Sequence, residues 1–203
     1  MKLLKSKIIS SDENVNIEHD LLFTLANLNN TNFYSRQLIN VYIPVNNLYT
    51  KIDLILINTK GIYVFEYKSF NGIISGKQKS KYWNQLIKND KRKFLNPIDE
   101  NDSHIKTLKN IFNIENDNKN LFKSYILFND SNKTNLEKIR YKESSILKVI
   151  NKDNLIDILS IDNRTTKSLL SKEQVDYIFK NLQKYTIIDK NKNYVDEFFY
   201  HNK

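Results

Sequence analysis

Apolar and polar positions alternate in ways that divide the chain into distinct elements. Residues 12–28 put Val15, Leu21, Leu22, Leu25 and Leu28 at helical spacing, with acids early and an asparagine after the end, which predicts an amphipathic helix. Residues 33–43 read as extended and run into Pro44, a residue suited to a strand end or edge. Asn46–Thr50 reads as a loop. Ile52–Asn58 and Ile62–Lys68 are apolar runs on either side of Thr59-Lys60-Gly61, the pattern of a tight antiparallel hairpin. Ile73–Ser75, between Gly72 and Gly76, is a further short strand. After Asn96-Pro97 the spacing predicts a helix from about Ile98 to Phe112, with Ile105 and Leu108 on one face. Asn113–Asn120 is loop-like, Leu121–Phe128 and Ser145–Ile150 read as strands, and Asn154–Leu159 and Lys172–Lys184 as closing helices. Helix, a run of strands, then alternating elements predict an α/β domain with a mixed central sheet flanked by helices, including C-terminal ones.

The chain of 203 residues is long enough to bury a real core, and its 40% apolar and 27% charged content is that of a globular protein. No internal repeat or linker is visible. One domain is therefore expected over 1–185, with its core at about 12–150, followed by a polar tail, 186–203. Phe198, Phe199 and Tyr200 make that tail a candidate interface for the core, a second copy or a partner protein. No apolar run can span a bilayer, and the start of the chain, broken by Lys5 and Lys7, does not read as a signal peptide. The absence of cysteine suits a cytoplasmic protein.

A net charge of +9 favours anionic partners, although the abundance of Lys, Asn and Ile also fits the bias of an AT-rich genome. The basicity is concentrated. Lys77, Lys79, Lys81, Lys88, Lys91, Arg92 and Lys93 face only Asp90 in that segment, giving a candidate contact to a nucleic-acid backbone or a merely solvated face. The one tryptophan, Trp83, lies in it and is expected to anchor the core.

The costliest placements are Asp53, Glu66 and Lys68, three charges within strongly apolar strands. Strand parity puts Glu66 and Lys68 on one face. Hairpin length brings Asp53 to the same end of the pair. Two converging carboxylates suit Mg2+, and a lysine beside them can act on water or on a phosphate. A structural ion pair is the competing account. All three glycines, Gly61, Gly72 and Gly76, fall in this stretch, which argues for demanding backbone geometry around it. His19, His104 and His201 are too scattered for a metal cluster, His104 being expected to pack or hydrogen-bond on its helix. There is no phosphate-binding loop of the nucleotide-hydrolase type.

The order Asp53, then Glu66-Tyr67-Lys68, resembles the PD-(D/E)xK nuclease superfamily. More narrowly, Ile52–Ile57, Lys60–Lys68, Gly72, Gly76 and Trp83 resemble the nuclease-related domain, NERD, as do Asn96-Pro97, His104-Ile105 and Leu108. The resemblance covers about residues 15–130. It implies a restriction-endonuclease-like αβββαβ core, with Asp53 and Glu66 as metal ligands and the Tyr67 carbonyl as a third. Lys68 would activate water, with Glu18 assisting from the first helix. Ile17 replaces the family's glycine before Glu18, and Glu100 stands where the family has glutamine. The expected function is a Mg2+-dependent (alternatively Mn2+-dependent) nuclease acting on nucleic acid, DNA foremost. The alternative is an inactive nucleic-acid-binding or partner-docking module of the same fold.

Overall fold

The computed structural model describes residues 34–115 and 120–187, which fall within one compact unit. The expected helix at 12–28, with Glu18 and His19, lies outside the described residues, as do His201 and the aromatic positions of the tail.

Three antiparallel strands come first: β1 (Ser35–Val45), β2 (Leu48–Asn58) and β3 (Gly61–Lys68). Strand β2 begins at Leu48, so the loop expected over Asn46–Thr50 shrinks to a two-residue turn with Asn46 at φ 53°. The β2–β3 ladder runs from Leu54↔Phe65 to Asn58↔Gly61. Its turn is Thr59-Lys60, where the Lys60 N–H donates to Asn58 Oδ1 at 2.7 Å.

The chain then leaves this sheet for β4 (Gly72–Lys77), β5 (Tyr82–Ile87) and β6 (Asp90–Leu95) before α1 (Pro97–Ile111). Helix α1 starts where the sequence places it, because Pro97 cannot donate and Asn96 caps it through its side chain, 3.1 Å from the Ile98 N–H. From α1 the chain enters β7 (Phe122–Phe128), which pairs parallel with β3. Strands β8 (Thr134–Arg140) and β9 (Leu147–Asn151), then helices α2 (Leu155–Thr165) and α3 (Lys172–Gln183), complete it.

The central sheet has the order β1-β2-β3-β7-β9, antiparallel on one side of β3 and parallel on the other, as a mixed sheet requires. The remaining strands build a second sheet, β6-β5-β4-β8. The β1–β3, α1, β7 succession is the expected core, with β4–β6 inserted before its helix. Strand β8 and the β5–β6 hairpin are additions to the elements expected from sequence, and α2 runs six residues past the expected Leu159.

Helices α1 and α3 share one apolar core with β1–β3, in which Ile55, Ile57, Val64, Leu108, Val175 and Leu182 meet. A second core joins the two sheets: Ile74 and Trp83 pack with Ile98, Ile126 and Phe128. Trp83 is fully buried and stacked on Phe128. This explains Gly76, since a Cβ there would sit 2.3 Å from the indole. On the opposite face of the central sheet, Tyr63, Phe65 and Tyr125 pack edge to ring, and Asp162 of α2 hydrogen-bonds to Tyr63 and Lys123. Among the described residues, no helix is long and apolar enough to cross a membrane.

Candidate active site

Asp53 stands one residue beyond the last β2–β3 pair, Leu54↔Phe65, in line with Glu66. Directly opposed residues share a face, so the ladder that buries Ile55 and Val64 carries Asp53 and Glu66 onto the side covered by α1. Both acids are buried, to 6% and 0% exposure. The backbone is altered around Asp53 on both sides. Its β1 neighbour in register, Asn40, takes φ 51°, and the Tyr67 N–H donates to Asp53 Oδ2 at 2.9 Å instead of to a strand carbonyl.

Each carboxylate has a lysine. Lys51 Nζ lies 2.9 Å from Asp53 Oδ1, and Lys68 Nζ lies 2.7 Å from Glu66 Oε1. Helix α1 closes the site from above. Glu100 Oε2 is 3.1 Å from Lys68 Nζ, and His104 Nδ1 is 3.6 Å from Glu66 Oε2, while His104 Nε2 meets Thr50 Oγ1 at 3.1 Å. Glu100 and His104 are i, i+4 on α1 and therefore project from one face. Between them Asn101 ties the helix to the sheet, donating to the Val64 carbonyl at 2.8 Å and Ser124 Oγ at 2.9 Å. The lysine ammonium is thus clamped between carboxylates from a strand and a helix, an arrangement that fixes its position far better than one exposed pair could.

Asp53, Glu66 and Lys68 therefore converge as their spacing predicts. Tyr67 joins them through its backbone, while its side chain turns to the other face and donates to Asn129 Oδ1 at 2.7 Å. Glu18 lies outside the described residues. The basic segment is dispersed. Lys77 ends β4, Lys79 and Lys81 lie in the turn before β5, Lys88 sits at the hairpin tip with φ 53°, and Lys91, Arg92 and Lys93 follow along β6. Arg92 is bound to Asp90 at 2.8 Å. Lys51, Thr50 and Asn101 were not expected at the site. The Lys51-x-Asp53 spacing was the one available signal, since residues two apart on a strand share a face. His104 hydrogen-bonds, as its helix position suggested, but its partner places it beside Glu66.

Residues 15–129, more than half of the chain, match the model of NERD, the nuclease-related domain. The chain belongs to the NERD family. Over 85 residues this NERD protein is 34% identical to an uncharacterized protein of Bacillus anthracis, a match covering 42% of this chain and 40% of that one. The chain thus spans well under half the length of that relative. The crystal structure of a protein of unknown function aligns with 82% of this chain and 95% of its own, at 12% identity and a TM-score of 0.29.

The donor set of this NERD site fits a hard divalent cation. Mg2+ takes one or two carboxylates from a protein and completes its shell with water and phosphate oxygens, and Asp53 and Glu66 offer that pair in a buried setting. Among the described residues no three His, Cys, Asp or Glu side chains converge as a metal group. A third protein donor would therefore be a backbone oxygen such as that of Tyr67, which the family resemblance singles out, or a residue outside the described ones.

Proposed function

We propose that this NERD domain is a metal-dependent nuclease that hydrolyses phosphodiester bonds in DNA, with Asp53 and Glu66 holding Mg2+ or Mn2+ and Lys68 acting on the attacking water. The observation that carries this reading is the meeting of Asp53, Glu66 and Lys68 at one end of the β2–β3 pair, under a helix that supplies Glu100 and His104. When bound, the cation would polarise the scissile phosphoryl group and lower the pKa of a water. Everything else falls to the chain. Lys68, held in place by Glu66 and Glu100, orients the water oxygen for attack on phosphorus and offsets the negative charge that develops as the P–O bond to the leaving oxygen breaks. Asn101 and His104 keep α1 seated over the reacting centre. Lys51, 2.9 Å from Asp53, balances the charge of that carboxylate. Glu18 is assigned a supporting role from the N-terminal segment, and the lysines of 77–93 a role in contacting DNA. A cysteine-free chain acting on DNA suits the cytoplasm.

A second reading has its own observation. Both buried acids are already neutralised by lysines, which is also what an inactive binding module of this fold would need. Two measurements separate the readings. Cleavage of plasmid and oligonucleotide DNA should require Mg2+ or Mn2+ and fall by on the order of 10²-fold or more in Lys68→Ala and Asp53→Asn. Mg2+ should also raise the melting temperature of the wild type but not of Asp53→Asn. Undiminished cleavage by both variants would sink the site assignment, and folded wild-type protein that neither cuts nor responds to metal would establish the inactive module.

A further inference from the structure

The second sheet has one face buried against the core and one face open. Ile74, Trp83, Gln85, Thr134 and Ile139 point inward. The residues between them point out, and the strand register shows how they line up. Lys138 of β8 lies opposite Ser75 of β4, Ser75 opposite Asn84 of β5, and Asn84 opposite Lys93 of β6. The next row reads Asn135, Ile73, Leu86, Lys91. At the other end Arg140 opposes Lys77, and Tyr82 opposes Leu95.

Apart from Lys77 at the end of β4, cations therefore stand on the two outer strands, and the middle is neutral, small or apolar. At about 4.8 Å per strand, the rims are about 14 Å apart. The β8 rim exists only because of a bulge. The register shifts between Ile73 and Ser75, so Asn135 and Lys138, three residues apart, reach the same face. The acids of the outer strands are engaged: Glu137 accepts from Asn135 at 3.2 Å, and Asp90 pairs with Arg92. Tyr82 is 44% exposed with the Lys81 ammonium 5.4 Å from its ring centroid. Only Ser69, Phe70 and Asn71 separate Lys68 from the first strand of this face.

We propose that this open face is a docking platform for single-stranded DNA, which deepens the nuclease reading and rests on its assignment of nucleic acid as substrate. Charge complementarity gives the backbone its place, on Lys138 and Arg140 at one rim or Lys91 and Lys93 at the other. The neutral trough decides for a single strand. Ile73, Leu86 and Tyr82 offer nothing to the stacked, inward bases of a duplex, whereas unpaired bases can lie against them and stack on the tyrosine.

The test is fluorescence anisotropy of a labelled oligothymidylate of about 15 nucleotides with the full chain in EDTA, so that binding is read without cutting. Lys93→Ala/Lys138→Ala, which takes one cation from each rim, should weaken binding about fivefold or more and reduce the slope of log K against log salt by about 0.7, for the one phosphate no longer neutralised. Tyr82→Ala should weaken it about fivefold or more at unchanged slope. Lys167→Ala/Lys184→Ala, which removes the same number of charges elsewhere, should bind as wild type. The platform is overturned by absent wild-type binding, by platform variants that bind normally, by an equal loss in the Lys167/Lys184 control, or by tighter binding of a duplex of equal length. Cleavage of the same oligonucleotide with Mg2+ is scored separately. Binding through this face without cutting supports the platform and refutes the nuclease reading, and cutting with unaffected platform variants does the reverse.

Discussion

Replacing Asp162 by asparagine should cost this protein a large part of its stability while leaving its shape intact. Asp162 sits on α2 with both oxygens occupied. Lys123 and Tyr63 bond to Oδ2, and Thr166 Oγ1 donates to Oδ1 at 2.6 Å. Burial pushes the Asp162 carboxyl up, but the bonds from Lys123, Thr166 and Tyr63 outweigh it and hold the group below its usual range. Burial likewise lowers Lys123, against the upward pull of Asp162. With three donors on one carboxylate, the pair is Lys+ and Asp− at neutral pH. The Lys123 side chain is only 2% exposed. Asp162→Asn would strand that ammonium away from water, a loss of about 3–5 kcal/mol when one partner of a buried pair is removed. Set against a total of about 5–15 kcal/mol, that is at least about a fifth of the stability. With a urea m-value of about 2 kcal/mol/M, the unfolding midpoint should drop by about 2 M. The triple variant Tyr63→Phe/Lys123→Met/Asp162→Leu, which removes the polar groups together, should recover most of it. A drop below about 0.5 M in Asp162→Asn, or a triple variant no better than the single, would show that the trio is solvated and the reasoning wrong.

The same pair sets a pH dependence. Because the folded carboxyl is lowered, its contribution is complete above the unfolded Asp value of about 3.9 and is lost as pH falls through the folded value. Wild-type urea midpoints should therefore fall below about pH 4, and Asp162→Asn should lack that component. Gly76→Ala should destabilise by about 1–3 kcal/mol, since its Cβ would meet the Trp83 ring at 2.3 Å, and thermal melts will show whether the indole yields. Asn96→Ala should cost about 2–3 kcal/mol by chemical denaturation. It removes the α1 cap together with donors to the Gln78 and Ser80 carbonyls at 2.8 and 3.0 Å. Glu100→Gln should keep DNA cleavage within about tenfold of wild type, because Glu66 still positions Lys68, whereas Lys68→Ala should not.

The site was legible where short range decides geometry. A two-residue turn at Thr59-Lys60 fixes which residues of β2 and β3 face each other, so counting along the sequence was enough to bring Asp53 to Glu66 and Lys68. The start of α1 was legible because Asn96 and Pro97 each have a local reason to be there. What escaped needed long range or broke the rules of parity. Strand β8, Thr134–Arg140, has only Leu136 and Ile139 to mark it, and a bulge removes their alternation. The β5–β6 hairpin was hidden by its own lysines, since charges on an outward face read the same in a strand as in a loop. Lys123 lies in a convincing strand, but its partner is 39 residues away on a helix whose second half sequence alone did not extend. Glu100 and His104 reach the site only once α1 is laid over β3.

The position of β6 has a further consequence. Among the described residues it is an outer strand of its sheet, with unpaired backbone groups along one side that could template a neighbouring chain. Its four exposed leading residues, Asp90 to Lys93, are all charged. Side chains of that kind repel a second copy of the same edge, so this run guards the protein against sheet-to-sheet aggregation. A variant neutralised at Lys91, Arg92 and Lys93 together would gain a tendency to self-associate as it loses charge.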